Sequence, residues 1–387
     1  MDKQLKISIY TIFEVIIYML VFVDIPNNNI RYGLIIVIGI FLTSKITYEL
    51  LKKNLQLNRL LSIFVIISLV ISNYNRGETI RNSFLSNIVF ACILIEFVLF
   101  VEVISEKKGI QHFFKTASVC AIVICIITDV LAFTIGEDRG LYLIGTKFQV
   151  VYQHMLAITL YMVANIDSIK NKKSIKSYKY YFNVLVLLIL TIVISMKMEC
   201  STGIVGIIVF FLVMALIRLK ESFFISPVTF IGAIILSFCF MWSFEGILMN
   251  KQIATFITVY LQRSLSLTGR TIIYSKMALI MNKHWLLGFG YGSTYEVCMS
   301  KIGFADTQNA LMEWIMQLGV IGTTSLFIML VYAFYQLKYQ RECRQWIYLV
   351  AYIYTLVFIG TVEITYTMYF FGVIVMIYIL GKEKRRI

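Results

Sequence analysis

Two runs of this chain decide its fold: GRTIIYSKMALIMNKHWLLGFGYG at 269–292 and QNALMEWIMQLGVIG at 308–322. Both lie in the interval from Phe244 to Gly322, which begins where one long apolar segment ends and runs into another. Residues 244–307 form the longest interval without a spanning segment, and we expect a large loop outside the membrane there. Because the rest of the chain is mostly apolar helix, residues for specific chemistry are sought first in this interval.

The composition is that of a membrane protein. Of 387 residues, 59% are hydrophobic and 14% are charged, whereas soluble domains carry about 25% charged residues. The formal net charge is +14, with 35 Lys and Arg residues. In a membrane protein, an excess of these residues keeps loops in the cytoplasm beside anionic membrane lipids. We therefore predict membrane lipids, and no nucleic acid, as the partner of this charge.

Apolar segments of about 20 residues are long enough to cross a membrane as helices. The chain contains about twelve such segments, which predicts an all-α polytopic membrane protein with residues 1–387 as a single transmembrane domain. Their approximate centres are Val15, Val37, Ile67, Leu94, Ile124, Ile158, Leu188, Phe210, Ile235, Thr324, Thr355 and Val373.

The distribution of basic residues predicts the orientation of the chain. With the N-terminus inside, 23 of the 35 Lys and Arg residues fall on the cytoplasmic side, including the dense runs 170–179 and 382–386. This is the asymmetry that the positive-inside rule describes. We predict that both termini are cytoplasmic and that the loop 244–307 is extracytoplasmic.

Two amphipathic segments of this loop are predicted to be short interfacial helices. The first covers 251–265, and the second carries the apolar stripe Ile272, Ile273, Met277, Ile280 and Met281. Such helices lie on the outer leaflet with the apolar face down and with their cations near lipid headgroups.

The sequence lacks the motifs of several common nucleotide-binding and metal-binding sites. It contains no GxxxxGK[ST] loop, so ATP is not bound in that mode. The three histidines are too dispersed along the predicted helices for a zinc site, and we expect neither a metal nor a cofactor. The glycines of 288–292 stand outside any strand–helix unit and predict a turn, not a dinucleotide site.

The predicted outer face is instead supplied with cations, the environment that a departing diphosphate requires. A guanidinium group offers a fork of donors that matches phosphate oxygens and stabilises charge as a bond breaks. For any single cation, anchoring at the lipid interface is the competing interpretation. The candidates for binding diphosphate are Arg76, Arg81, Arg139, Lys147 and Arg270.

Two further residues are candidates for proton transfer. His154 lies seven residues beyond Lys147, about 10 Å deeper in a helix. It either donates a hydrogen bond to a sugar hydroxyl or forms a structural hydrogen bond with a neighbouring helix. Glu313 shares a helix face with Asn309, four residues earlier. Both lie at the start of the helix that follows the outer loop.

The ordered segments Leu267–Arg270, Trp285–Gly290, Gln308–Leu311 and Leu318–Gly322 resemble the motifs of the O-antigen polymerase and ligase family. That family shows an sGR segment, a pl-G-G-G segment, HN-x-x-L and G-x-x-G in this order. Residues 142–148 together with His154 are similar to the matching helix of capsular-polysaccharide polymerases.

This resemblance implies a GT-C-like, metal-independent glycosyltransferase of the bacterial cytoplasmic membrane, with its active site on the extracytoplasmic side. The implied donor is an oligosaccharide on undecaprenyl diphosphate, and a chain-length regulator and a flippase are implied as further partners. The motif arginine falls on Arg270, which would hold the diphosphate. Gln308 and Asn309 would hydrogen-bond sugar or phosphate.

One departure from the family favours a polymerase. Gln308 stands where the family usually has a histidine, and glutamine is not a base near neutral pH. Asp306, Glu313 or His154 is left to activate the acceptor, unless positioning suffices. The alternatives are a ligase that moves finished polymer to another acceptor, and a flippase or transporter for the lipid-linked sugar that uses Glu96 and Asp129 for proton coupling.

Overall fold

The fold is described from a computed structural model of the chain. The structure describes residues 8–23, 25, 27–51, 57–75, 83–136, 141–169, 175–255, 258–259, 269–338 and 344–383. This part of the chain is almost entirely helical.

Long helices succeed one another from the start of the described chain. The first eight are α1 Ile9–Phe22, α2 Asn28–Leu51, α3 Leu57–Tyr74, α4 Ser83–Lys108, α5 Ile110–Thr134, α6 Lys147–Ala164, α7 Ile175–Lys197 and α8 Ser201–Leu219. The only strands in the described residues are β1 Leu141–Tyr142 and β2 Gly145–Thr146, an antiparallel pair in which Leu141 faces Thr146.

The second half mixes long and short helices. They are α9 Glu221–Phe224, α10 Pro227–Leu248, α11 Lys251–Thr255, α12 Arg270–Ile280, α13 Thr294–Ile302, α14 Ala310–Leu337, α15 Trp346–Ile359 and α16 Met368–Glu383. The short helices α11, α12 and α13 fall between α10 and α14, all within the interval 244–307 where a large loop was predicted.

Helix length and composition fit a membrane protein. Within the described residues, six helices are long and apolar enough to cross a membrane, and five shorter helices are also apolar. Each of the twelve predicted centres lies inside a helix. The helical class is therefore confirmed for the described residues, and the apolar helices fit a membrane protein, while twelve spans, the position of the termini and the GT-C-like architecture stay predictions.

The burial pattern separates central from peripheral helices. On α16, Phe370, Val373 and Ile377 are fully buried, and α16 packs against α4, α14 and α15. A helix that is buried all round belongs to the centre of a bundle. In contrast, α7 exposes apolar residues such as Phe182 and Leu185, as expected of a surface that faces lipid.

Helix α14 is broken at Gly319, whose backbone has φ 63° and ψ −174°. The sequence analysis did not anticipate this break. A break within an apolar helix leaves N–H and C=O groups without helical partners, and such groups are costly away from water.

The glycine-rich turn 285–290 supplies the missing partners. The N–H groups of Val320 and Ile321 donate to the carbonyls of Trp285 and Leu286, at 2.8 and 3.2 Å. In the other direction, the N–H groups of residues 289 and 290 donate to the carbonyls of residues 316 and 317, both at 2.8 Å. We call this exchange of four main-chain hydrogen bonds the clasp.

The clasp requires glycine on both sides. A Cβ on Gly288 would lie 2.6 Å from the backbone of Gln317, and a Cβ on Gly319 would lie 2.2 Å from the carbonyl oxygen of Leu286. Both glycines also have positive φ. The turn predicted at 288–292 is present, and its role is to join the loop to the broken helix.

Helix α3 holds the clasp from the other side. The Asn75 side chain donates to the carbonyl of Leu287 at 3.4 Å, and the N–H of Tyr291 donates to the Ser72 hydroxyl at 3.0 Å. Ser72 also accepts a hydrogen bond from Asn87 of α4 at 3.2 Å. Buried polar residues of two apolar helices thereby fix the position of the loop.

The predicted interfacial helices are only partly recognisable. In the first, residues 256–257 and 260–265 lie outside the described residues, and α11 represents the part before them. On α12, Ile273, Tyr274 and Met277 are buried within the protein, while Ile272 and Leu279 are exposed. The apolar stripe therefore packs largely on protein, because the clasp and Tyr274 draw this helix onto the bundle.

We predict that Gly288→Ala lowers the melting temperature in detergent far more than Gly292→Ala. Both glycines have positive φ, which costs alanine about 1–2 kcal/mol. Only position 288 adds a steric overlap, because no atom lies within 4 Å of a Cβ at Gly292. Equal melting temperatures for the two variants would contradict the close approach in the clasp.

Candidate functional site

Arg270 is the first residue of α12 and is buried. It follows Gly269, whose φ of 86° turns the chain into the helix. Its Nε donates to the carbonyl of Val362 at 3.0 Å, and its Nη2 lies 2.5 Å from the Glu363 carboxylate. Arg270 is thus joined to the segment 360–367 between α15 and α16. We call the end of the bundle where the start of α12 meets residues 360–367 the Glu363 end.

Glu363 is itself buried, and its environment favours the neutral form. Burial raises the pKa of Glu363 from 4.5 to about 7, while the positive charges of Arg270 and Lys147 act in the opposite direction. Asp306 raises the pKa further through its negative charge. The carboxyl group therefore titrates near neutral pH while two cations attract its charged form.

Lys147 reaches the same region from α6. Its Nζ is 3.5 Å from the backbone oxygen of Glu199 and 5.7 Å from the centre of the Phe148 ring. It also interacts electrostatically with Glu363. Two of the predicted diphosphate-binding cations, Arg270 and Lys147, are therefore brought to one carboxylate.

Gln308 and Asn309 are engaged within the protein. Gln308 has a φ of 53°, and its backbone N–H and its side-chain amide both donate to Asp306, at 2.9 and 2.6 Å. Asn309 caps α14 by accepting from the N–H of Met312 at 3.0 Å, and it donates to the carbonyl of Thr361 at 3.2 Å. In this structure their side chains position the start of α14.

Tyr274 ties these parts together. Its hydroxyl lies 2.7 Å from the carbonyl oxygen of Gln308 and 3.2 Å from that of Thr361. One residue of α12 therefore contacts both the turn before α14 and the segment after α15. The described residues of the four motif segments meet through these contacts and the clasp.

Glu313 lies one turn into α14 and lines a cavity. Its carboxylate accepts hydrogen bonds from Gln317 at 3.0 Å and from Thr307 at 3.1 Å. Asp306 interacts electrostatically with both Glu313 and Glu363. The cavity and the Arg270–Glu363 pair are therefore neighbouring parts of one region.

His154 is placed elsewhere. It is buried between α6 and α5, where its Nε2 lies 2.9 Å from the Asp129 carboxylate. His154 is not among the residues that line the cavity. The sequence left two interpretations open for His154. This contact favours the one in which His154 forms a structural hydrogen bond to a neighbouring helix.

The remaining predicted residues Arg76, Arg81 and Arg139 lie outside the described residues. In the part of the chain that the structure describes, no group of three or more His, Cys, Asp or Glu residues is arranged to hold a metal ion.

Sequence reasoning missed two side chains that the structure places in this region. Glu363 was not among the predicted site residues, although its position in a short segment between two apolar helices was a signal for a functional acid. Arg31 was not among them either, yet it lines the cavity together with Glu313.

We predict that Glu363 makes folded stability pH-dependent. The folded protein keeps the proton of Glu363 up to about pH 7, whereas an unfolded chain releases it near 4.5. The contribution of Glu363 to stability should therefore fall as the pH rises from 4.5 to 7, by up to about 3 kcal/mol, and then stay level. Melting temperatures of wild type and Glu363→Gln, taken from pH 5 to 8, measure this slope.

The control for this measurement is Glu221→Gln, which removes a carboxyl group from α9. It should keep the wild-type slope, while Glu363→Gln should lose much of it. Identical slopes in wild type and Glu363→Gln would contradict the assignment.

Comparisons with known proteins identify no family for this chain. No family model matches the sequence, and no curated protein matches it. The resemblance to O-antigen polymerases and ligases therefore stays a prediction.

Proposed function

We propose that this protein is a membrane glycosyltransferase that polymerises a surface polysaccharide at the outer face of the bacterial cytoplasmic membrane. It transfers a growing chain from undecaprenyl diphosphate to a sugar hydroxyl of another lipid-linked repeat unit. The reaction proceeds without a metal ion.

The observation that carries this proposal is the meeting of the described residues of the four motif segments at one end of the bundle. Arg270 pairs with Glu363, Tyr274 of the same helix contacts Gln308, and the clasp joins residues 285–290 to α14. Segments far apart in sequence thereby surround one group of acids and bases beside a cavity. Such convergence is expected of a catalytic region.

Arg270 and Lys147 bind the diphosphate in the proposed reaction. A carboxylate paired with a guanidinium occupies the position that phosphate oxygens take, since both groups offer two oxygens to the planar fork of arginine donors. Glu363 therefore holds Arg270 in place before the donor binds. When the diphosphate replaces it, Glu363 loses its cation and takes up a proton, because its pKa is already about 7.

Glu313 acts as the base toward the acceptor. It removes the proton of the attacking sugar hydroxyl as the new glycosidic bond forms. The bond between the donor sugar and the diphosphate oxygen breaks, and its electron pair leaves with the diphosphate, where Arg270 and Lys147 stabilise the charge. Glu313 then releases its proton to water.

The ligase alternative uses the same chemistry with another acceptor. Gln308 argues against it, because the side chain at this position is bound to Asp306 and is not a base. The flippase alternative rests on buried acids. One of them, Asp129, is paired with His154, a contact that gives this acid a structural role without proton coupling.

We predict that a strain lacking the gene accumulates single lipid-linked repeat units, which a gel of lipid-linked glycans detects. Long lipid-linked chains in that strain would indicate a ligase, and units retained on the cytoplasmic leaflet would indicate a flippase.

We predict that Arg270→Ala and Glu313→Gln each reduce polymer about 100-fold or more, the loss typical of removing a group that stabilises a transition state. Lys276→Ala is the matched control, because Lys276 is an exposed cation on the same helix as Arg270. Polymer is measured on the gel, and the amount of inserted protein is measured in the membrane fraction. Normal polymer in Arg270→Ala would remove Arg270 from the proposed site.

The proposed orientation has its own test. Lys301 on α13 is exposed, and so is Lys220 between α8 and α9. We predict that a membrane-impermeant maleimide labels Lys301→Cys in intact cells but labels Lys220→Cys only after the cells are opened. Labelling of the wild-type protein gives the background from its native cysteines. The reverse labelling pattern would overturn the orientation.

A further inference from the structure

A cavity of about 420 Å³ lies beside the start of α14 at the Glu363 end. It is bounded by α1, α2, α4, α14 and the segment 364–369. Asn28 and Ser86, at the starts of α2 and α4, are exposed and mark its mouth. Pockets for small ligands range from roughly 300 to 1,000 Å³, so the cavity has the size of a binding site.

One wall of the cavity is aromatic. The rings of Phe90, Tyr291 and Trp314 form a cluster with centroid distances of 5.2 Å, 5.7 Å and 6.0 Å. The Trp314 indole is held by a hydrogen bond from its Nε1 to the carbonyl of Tyr366 at 2.9 Å. Rings fixed in this way offer a rigid apolar surface with polar edges.

Polar groups of several chemical types surround this wall. They are the guanidinium of Arg31, the carboxylate of Glu313 and the amides of Gln149 and Gln317. Arg31 is held at the mouth by a hydrogen bond to the carbonyl of Ile25 at 2.5 Å. Gln149 is held by the backbone N–H of Thr146, which donates to its side-chain oxygen at 2.8 Å.

This combination matches the two surfaces of a sugar. The C–H faces of a pyranose ring are apolar and pack on aromatic rings, while its hydroxyls both donate and accept in the plane of the ring. Planar amides, a carboxylate and a guanidinium supply the matching acceptors and donors. A lipid chain would use neither the amides nor the charges, and burial of those groups against it would be costly.

The cavity is separate from the diphosphate-binding cations of the proposed function. None of Arg270, Lys147 and Glu363 lines it. A polymerase needs a place for the departing diphosphate and another place for the acceptor sugar. Glu313 connects the two, because it lines the cavity and also interacts with Asp306 beside Glu363.

We infer that this cavity is the acceptor subsite, which takes the terminal sugar of a lipid-linked repeat unit with its ring on Tyr291 and Trp314. The inference rests on the proposed function and adds the substrate part that the cavity recognises. Arg31, Gln149 and Gln317 orient the sugar hydroxyls, so that the attacking hydroxyl meets Glu313.

The test uses the tryptophan in the wall as a reporter. Repeat units accumulated by the deletion strain are released from the lipid by mild acid, and the free oligosaccharide is titrated into the purified full-length protein in detergent. We expect the fluorescence of Trp314 to change on binding. The signal should be absent in Trp314→Phe, which keeps the other three tryptophans.

The variant that tests recognition is Arg31→Gln. Loss of one charged hydrogen bond should weaken oligosaccharide binding about tenfold or more, since such bonds contribute about 1.5–3 kcal/mol. Arg218→Gln, at an exposed position near the end of α8, is the matched control and should bind as wild type does. Glu313→Gln should still bind the oligosaccharide while it fails to make polymer.

Three results overturn the inference. Wild-type affinity in Arg31→Gln does so, and so does a fluorescence change that persists in Trp314→Phe. A change produced by undecaprenyl diphosphate alone, with none from the free oligosaccharide, would assign the cavity to the lipid diphosphate instead. Failure of the proposed function is a different outcome, because the deletion strain would then contain long lipid-linked chains or repeat units retained on the cytoplasmic leaflet.

Discussion

The clasp between residues 285–290 and the broken helix α14 is the constraint on which the rest of the structure depends. A break at Gly319 exposes main-chain donors and acceptors next to an apolar bundle, where each unpaired group costs free energy. The glycine-rich turn satisfies these groups and can approach only because Gly288 and Gly319 have no side chain. The loop is thereby fixed on the bundle, and α12 is brought to the start of α14.

That placement sets the electrostatics of the Glu363 end. Arg270 and Glu363 form a buried pair, in which either charge alone would be strongly disfavoured. Loss of one partner from such a pair is costly, whereas exchange for another group of the same charge is not, which fits the proposed replacement of Glu363 by a diphosphate. The nearby cavity combines rings with amides and a carboxylate, so the two proposed substrate parts meet chemically different surfaces.

Much of the helical framework was predictable because hydropathy is a local property. Each predicted centre, from Val15 to Val373, falls within a helix, and the glycines of 288–292 form the predicted turn. In contrast, what covers the apolar face of a helix is not a local property of the sequence. The stripe on α12 suggested contact with lipid, yet Ile273 and Met277 pack on protein. Periodicity identifies an apolar face but does not say whether lipid or another helix covers it.

The sequence by itself determined the class of the protein, the position of its helices and the segments in which polar chemistry is concentrated. The apolar composition and the positions of the glycines are sufficient to predict these features, because each depends only on residues that are close together in the sequence. Only the tertiary structure decided that Arg270 meets Glu363, 93 residues away, and that Arg31 shares a cavity with Glu313. Such partners are chosen by the packing of distant helices, and the charge of a residue carries no information about which opposite charge the fold will bring to it.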